Sequence, residues 1–345
     1  MSAVESLLER GFQPTRGVVL AFGFDRGTRG ASSIAKHLLA TFGENAFLLL
    51  VDEGGGFVRE FGRIIATTAI AEKHYLDVLV EVTSPGGHSS VPPSHTTIGI
   101  LARLLVQFEA NLYEAKLSRG TPMYWKSQCL AAHAPDLPHK LRKALKKAMK
   151  SNRALKEAEQ GLFKDPVFRA YVGTTQAVDL VDGGLGRRRE GARHVAAQRP
   201  RAEFFNLSYT AFGSQITGKE APAYGTLTIR DVWGAMLELA PISPIDAPEY
   251  ALLSGTIKAT YNADRDLKGD ENTVVAPGIM FDNTDTQYYW ALTPHIYRYT
   301  HHDSGHGTAL DDGLHTINES IDADAFLEMI RFFVTLILNA DEFRS

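Results

Sequence analysis

Two uninterrupted apolar runs, GVVLAFGF at 17–24 and AFLLLVDE at 46–53, flank ASSIAKHLLATF, whose Ile34, Leu38 and Leu39 share one helical face before Gly43 stops the helix. Apolar runs without alternation are what strands covered on both faces show, so the spacing predicts a strand, helix, strand unit and therefore a parallel sheet. Such α/β sheets place ligands just past the carboxyl ends of their strands. Asp25 stands there after the first run, and Asp52 and Glu53 after the second, with Gly54, Gly55 and Gly56 following.

From about residue 72 the pattern changes. YLDVLVEVTS alternates as a strand with one wet face does, SPGGHSSVPPSH is a turn-rich loop, and TIGILARLLVQFEANLYEA is an amphipathic helix. Residues 135–170 read as helical and basic. The arginine-rich stretch within 181–205 has neither helix nor strand periodicity, which counts against an ordinary compact fold there. NLSYTAF then reads as a strand and TIRDVWGAMLELA as a helix. From 243 the pattern of the first part returns, closing with DADAFLEMIRFFVTLILNADE, a helix apolar on most of its circumference and expected to lie against a sheet. The layout is one α/β domain, 1–71 with 243–345, interrupted by an inserted domain at 72–242.

Charge and cysteine content narrow the chemistry. The 345 residues carry 36 Lys+Arg against 40 Asp+Glu, a net charge of −4, which argues against electrostatic nucleic-acid binding. The basic run KLRKALKKAMKSNRALK reads as a solvated helix face, with an anionic partner as the alternative. One cysteine, Cys129, excludes an intrachain disulfide and a thiolate metal cluster, so metal chemistry would need His, Asp or Glu. No apolar run reaches the roughly 18 residues of a spanning helix, and MSAVESLLERGFQP has no signal-peptide core.

Ligand-type residues gather near glycine at Asp25, at Asp52 and Glu53, at His88 in PGGHSS, and between Asn283 and Glu319, which includes NTDT, HHDSGHG and GLHTINE. Singly, Asp52 reads as turn chemistry and His315 as a surface histidine. His301, His302 and His306 are expected on a mobile loop, because nothing in the sequence orients them. A serine hydrolase built on His88 with Ser89 or Ser90 is disfavoured, because close neighbours on a turn make a poor nucleophile and base pair.

Taken in order, LLLVDEGGGFV, EVTSPGGHSSVPPSHTTIGILA, GIMFDNTDTQYYW and GLHTINESI resemble the M20 metallopeptidases, specifically the fungal carboxypeptidase S (Gly-X carboxypeptidase) branch. The resemblance implies an M20-type zinc-peptidase catalytic domain, a parallel-rich sheet with helices, carrying an inserted α+β dimerisation or lid domain. It further implies two zinc ions activating a bridging water against a C-terminal peptide or N-acyl amino acid amide bond, a homodimer through the inserted domain, and a vacuolar or secretory setting. Asp52 falls on a ligand of one zinc and His315 on a ligand of the other. His88 falls on the histidine that stabilises the tetrahedral oxyanion, and Asn283, Thr284 and Asp285 match a substrate-side loop.

The departures from the family carry equal weight. The family's His-x-Asp strand and bridging Asp would precede Met1, so the chain reads as truncated or mis-assembled. After GVVLAFGF the family continues Asp-Glu-Glu, with general base and zinc ligand, whereas here Asp25 is followed by Arg26, Gly27, Thr28, Arg29 and Gly30. Loss of a general base typically costs about 10²–10⁴-fold in rate. The expectation is an impaired hydrolase; the alternative is a catalytically inactive dimerising or ligand-binding relative. Asp52 and His315 are expected to converge in space, and the α/β domain is expected to expose a sheet edge or an apolar patch.

Overall fold

The computed structural model describes residues 1–23, 29–182, 202–217, 225–234, 238–269, 272–302 and 317–344. In chain order the elements are α1 (Ser2–Glu9), α2 (Arg29–Phe42), β1 (Leu50–Gly55), β2 (Phe57–Glu60), β3 (Arg63–Glu72), β4 (Val78–Thr83), α3 (Thr97–Ala110), α4 (Pro122–His133), α5 (His139–Ala148), α6 (Asn152–Leu162) and α7 (Pro166–Val172). There follow β5 (Ser208–Ala211), β6 (Ser214–Gln215), β7 (Thr226–Asp231), α8 (Pro248–Asp264), β8 (Thr273–Met280), a 3-10 turn (Asp285–Tyr288), β9 (Ile296–Tyr299) and α9 (Ala323–Glu342). The chain divides into two compact units, one of Met1–Lys73, Leu117–Tyr171 and Leu239–Ser345, the other of His74–Lys116 and Val172–Glu238.

The first unit is a mixed α/β fold built on five strands. β3 is its spine, a β-branched and alanine-rich strand with β8 parallel along one side. On the other side β2 runs antiparallel to its first half, and β9 meets it at Ala69 opposite Arg298. β1 lies parallel to β9, with Asp52 beside Arg298 in the register, and forms an end of the sheet. Phe57, Ile70, Tyr297 and Tyr299 from the sheet pack with Leu253, Ile257 and Tyr261 of α8 and Phe332 and Leu336 of α9. α9 therefore covers the sheet as its apolar circumference predicts.

Glycine explains how β1 comes so close. A Cβ at Gly54 would stand 2.6 Å from Arg298 Cβ, and one at Gly55 would overlap the Thr67 carbonyl. The glycines after Asp52 thus lie inside the ladder, where bare backbone is required, at a register shift between Asp52 and Gly55. The sequence reading ended the strand at Glu53.

The second unit has a four-stranded sheet, β4-β7-β5-β6, with β5 and β7 parallel and the other pairs antiparallel. Leu104 and Phe108 of α3 pack against Tyr209, Leu227 and Ile229 of its strands. Thr96 caps α3 by accepting a hydrogen bond from the Gly99 amide.

Several expectations need correction. GVVLAFGF is not a buried strand: through residue 23 it joins no ladder among the described residues, and Val18, Val19, Leu20 and Phe22 are 43–63% exposed. The start of TIRDVWGAMLELA is not helical: TIRD belongs to β7, where β-branched residues alternate against β4 and β5, and residues 235–237 lie outside the described residues. Residues 117–171, expected inside an insertion spanning 72–242, pack in the first unit: α4 lies along β8 and β3, and Lys126 pairs with Glu60 of β2. Among the described residues no helix is long and apolar enough to cross a membrane.

Candidate active site around Asp52

Asp52 projects from β1 into a polar cluster that the sequence shows only in fragments. Glu72 ends β3 and Arg298 lies in β9, both 1% exposed at the side chain, with the guanidinium Nε 3.0 Å from Glu72 Oε1. Each oxygen of Glu72 is occupied. Oε1 accepts from the Thr284 amide at 2.8 Å and hydroxyl at 2.7 Å; Oε2 accepts from the Thr286 hydroxyl and Arg298 Nη2, both at 3.1 Å. Arg298 Nε also donates to Thr286 Oγ1 at 2.9 Å. Beside this knot Asn283 Nδ2 donates to the Lys73 carbonyl at 2.9 Å, which fixes the start of the loop to the strand end.

Burial is the main force on the Asp52 carboxyl and pushes its pKa above the usual range. The Glu53 amide, the Thr284 side chain and the Arg298 charge pull it down, while Glu72 adds to the rise. Asp52 Oδ2 is buried with no hydrogen-bond partner among the described residues. An orphaned carboxylate oxygen is where a cation or donor belongs. The Tyr289 hydroxyl is pushed up to about 12, by burial first and then by the Asp285 and Asp52 charges.

The structure thus brings Asp52 and Thr284 together, with Asn283 and Asp285 on the same loop. His315, Asp25 and His306 lie outside the described residues, so the expected meeting of Asp52 with His315 is not among the described contacts. A catalytic zinc takes three protein ligands. The described residues contain no group of three His, Cys, Asp or Glu able to hold a metal ion, and Asp52 alone does not build that centre.

His88 sits in the second unit on the exposed loop before α3, its ring Nδ1 hydrogen-bonded to the Ser90 hydroxyl and 3.2 Å from the Ser90 amide. The turn brings the Ser90 hydroxyl and amide onto one ring nitrogen of His88. No carboxylate orients that imidazole among the described residues, so they hold no complete nucleophile triad at His88.

His301 requires a fuller correction. It is fully buried, stacked on Phe332 with ring centroids 4.6 Å apart, with Nδ1 2.9 Å from the Tyr299 hydroxyl and Nε2 3.1 Å from Glu328 Oε1. Glu328 is gripped in turn by Arg265, whose Nη1 and Nη2 stand 2.6 and 3.1 Å from its two oxygens. Of the orienting groups only Tyr299 is a near neighbour in sequence; Glu328 and Phe332 lie 27 and more residues away, so the sequence around His301 does not show what holds it.

Known proteins place these observations. The chain is 33% identical to carboxypeptidase S of Saccharomyces cerevisiae, over 99% of this chain and 62% of that protein. It is 28% identical to the N-fatty-acyl-amino acid synthase/hydrolase PM20D1 of Mus musculus, over 100% of this chain and 66% of that protein. A probable carboxypeptidase S-like protein of Dictyostelium discoideum is 27% identical, over 99% and 63%. The chain therefore spans a little under two thirds of the length of the curated relatives it first matches. No family model matches it, nor does any solved structure.

Proposed function

We propose, from an M20 carboxypeptidase-like sequence as the premise, that this chain carries the substrate-side framework of a hydrolase acting on C-terminal peptide or N-acyl amino acid amide bonds, and that hydrolysis by the chain as written is impaired. The single observation that carries this reading is the placement of Asp52 beside Thr284, with Glu72 and Arg298 locking the 283–286 loop in position. The names of the relatives supply the two substrate classes, peptide and fatty-acyl amino acid.

In this reading Asp52 and His315 are metal ligands, His88 faces the developing oxyanion, and Asn283, Thr284 and Asp285 line the substrate side. Two zinc ions would supply a polarised carbonyl and an activated water. The impairment follows from Asp25-Arg26-Gly27 standing where the resemblance requires a carboxylate base and a further ligand. A homodimer through an inserted domain and a vacuolar or secretory setting belong to the same proposal.

The second reading, a non-catalytic dimerising or ligand-binding relative, draws on there being no group of three His, Cys, Asp or Glu able to hold a metal ion among the described residues. Cleavage of a blocked Gly-Leu dipeptide and of an N-acyl amino acid, with zinc measured on the purified chain, separates the two. Slow turnover, at least about 10²-fold below an intact relative, with less than one zinc per chain supports impairment. Two zinc ions per chain and full turnover would overturn it, and no turnover at any zinc concentration would favour the scaffold.

A further inference from the structure

The helical segment 117–171 of the first unit carries a charge arrangement that the proposed hydrolysis does not use. From Leu137 to Lys156 there is no Asp or Glu, while Lys140, Arg142, Lys143, Lys146, Lys147, Lys150, Arg153 and Lys156 all fall in that span of a chain whose net charge is −4. Packing sorts these cations. α5 buries Ala144, Leu145 and Ala148, and Arg142 turns inward to donate to the carbonyls of Ala131 and Ala134. Lys140, Lys143, Lys146, Lys147 and Lys150 face out and are exposed, and none has an ion-pair partner among the described residues. Arg153 and Lys156 are already paired, with Glu157 and Glu159.

Lys143 and Lys147 are four apart on this helix, as are Lys146 and Lys150 across its end, so the arrangement repels itself by a few tenths of a kcal/mol per pair. A compensating anionic surface removes that penalty. We propose that the outer face of α5 docks on an anionic phospholipid surface. The chemistry favours headgroups over a nucleic acid. The outward cations are all lysine, point charges suited to a diffuse layer of phosphates, and no aromatic side chain stands among them to stack a base. The face is a convex helix roughly 15 Å long, ending in Met149, which is 62% exposed and can enter the headgroup layer. The helix lies along the surface and does not span it.

Co-sedimentation of the full chain with phosphatidylcholine vesicles and with vesicles of phosphatidylcholine and phosphatidylserine tests the proposal. Binding to the mixed vesicles alone is expected, falling as salt rises. The Lys143→Ala, Lys146→Ala, Lys147→Ala triple variant should partition about a hundred-fold more weakly, at about five-fold per lysine, while the triple Arg variant keeps binding. An unchanged melting temperature in the Ala variant shows that the fold is intact. Equal binding by the Ala variant, equal binding to neutral vesicles, no binding to either, or tighter binding to a duplex oligonucleotide than to the mixed vesicles would each overturn the assignment. None of these outcomes depends on whether the chain hydrolyses an amide.

Discussion

Arg298 and Glu72 form an ion pair closed off from solvent, 3.0 Å from Nε to Oε1, and they tie three strands to one loop: β9 through the arginine, β3 through the glutamate, β1 through the Asp52 that faces them, and residues 283–286 through two threonines. Burying two charges is costly, and the cost is offset on the glutamate side, where Glu72 accepts from two hydroxyls, an amide and the guanidinium, while Arg298 Nη1 is buried with no hydrogen-bond partner among the described residues.

Removing one partner leaves the other charged and buried. Glu72→Ala or Arg298→Ala should each lower unfolding stability by about 3–5 kcal/mol, read as a lower midpoint in urea. The double variant Glu72→Ala with Arg298→Ala should lose less than the two single losses combined, because the pair is directly coupled. Strict additivity would mean the two side chains act independently and would remove the pair as the organiser of the loop.

Acid should weaken the fold through Glu328. Burial alone would raise its pKa, but the hydrogen bonds and charges of His301 and Arg265 outweigh it and hold the carboxyl below its ordinary 4.5. A depressed folded-state pKa gives stability that is fully present above the ordinary value and is lost as pH falls through it toward the folded one. Urea midpoints of the chain should therefore fall across that interval. Against this the Glu328→Gln variant should start lower and show a shallower decline. Parallel curves would place the acid sensitivity elsewhere.

Two glycines should respond to alanine in opposite directions. Gly54→Ala puts a methyl on the Cβ of Arg298 and should cost about 1–3 kcal/mol, because the β1 and β9 backbones must part. Gly255, inside α8, has nothing within 4 Å of its added Cβ. Gly255→Ala should stabilise by about 0.5–1 kcal/mol through helix propensity. Thermal melts of both variants decide whether close strand approach, and not glycine content in general, accounts for the VDEGGG run.

Much of this framework could be read from the chain. α2, α3 and α9 follow their apolar periodicity, and β4 and β5 their strand-like patterns. The site was legible only where residues sit beside glycine, as Asp52 does, or share one short string, as Asn283, Thr284 and Asp285 do. Glu72 and Arg298 are 226 residues apart and surrounded by apolar neighbours in IAE and IYRY. The one available signal was a charged side chain inside a buried strand pattern, which must be paired to be tolerated. GVVLAFGF misled because an apolar run reports its preference for burial, while burial itself needs a neighbouring strand, and none among the described residues pairs with it. β7 was missed because TIRDV resembles the start of an amphipathic helix until Ile229 and Leu227 are seen packing under α3.

Zinc should reveal whether Asp52 belongs to a working metal centre. A ligand that binds only the folded state stabilises it by RT ln(1 + [L]/Kd), about 2.7 kcal/mol at a hundred times Kd, which in a chain of this length is a shift of a few degrees in the melting temperature. If Asp52 lacks the two companion donors a catalytic zinc needs, micromolar zinc should leave the melting temperature of the parent chain and of Asp52→Asn unchanged alike. The Asn variant itself should melt slightly higher than the parent without metal, because it removes a charge that burial disfavours beside an oxygen with no partner. A zinc-dependent rise present in the parent and abolished by Asp52→Asn would instead mean that donors outside the described residues complete the site, and the proposed impairment would then have to rest on the missing base alone.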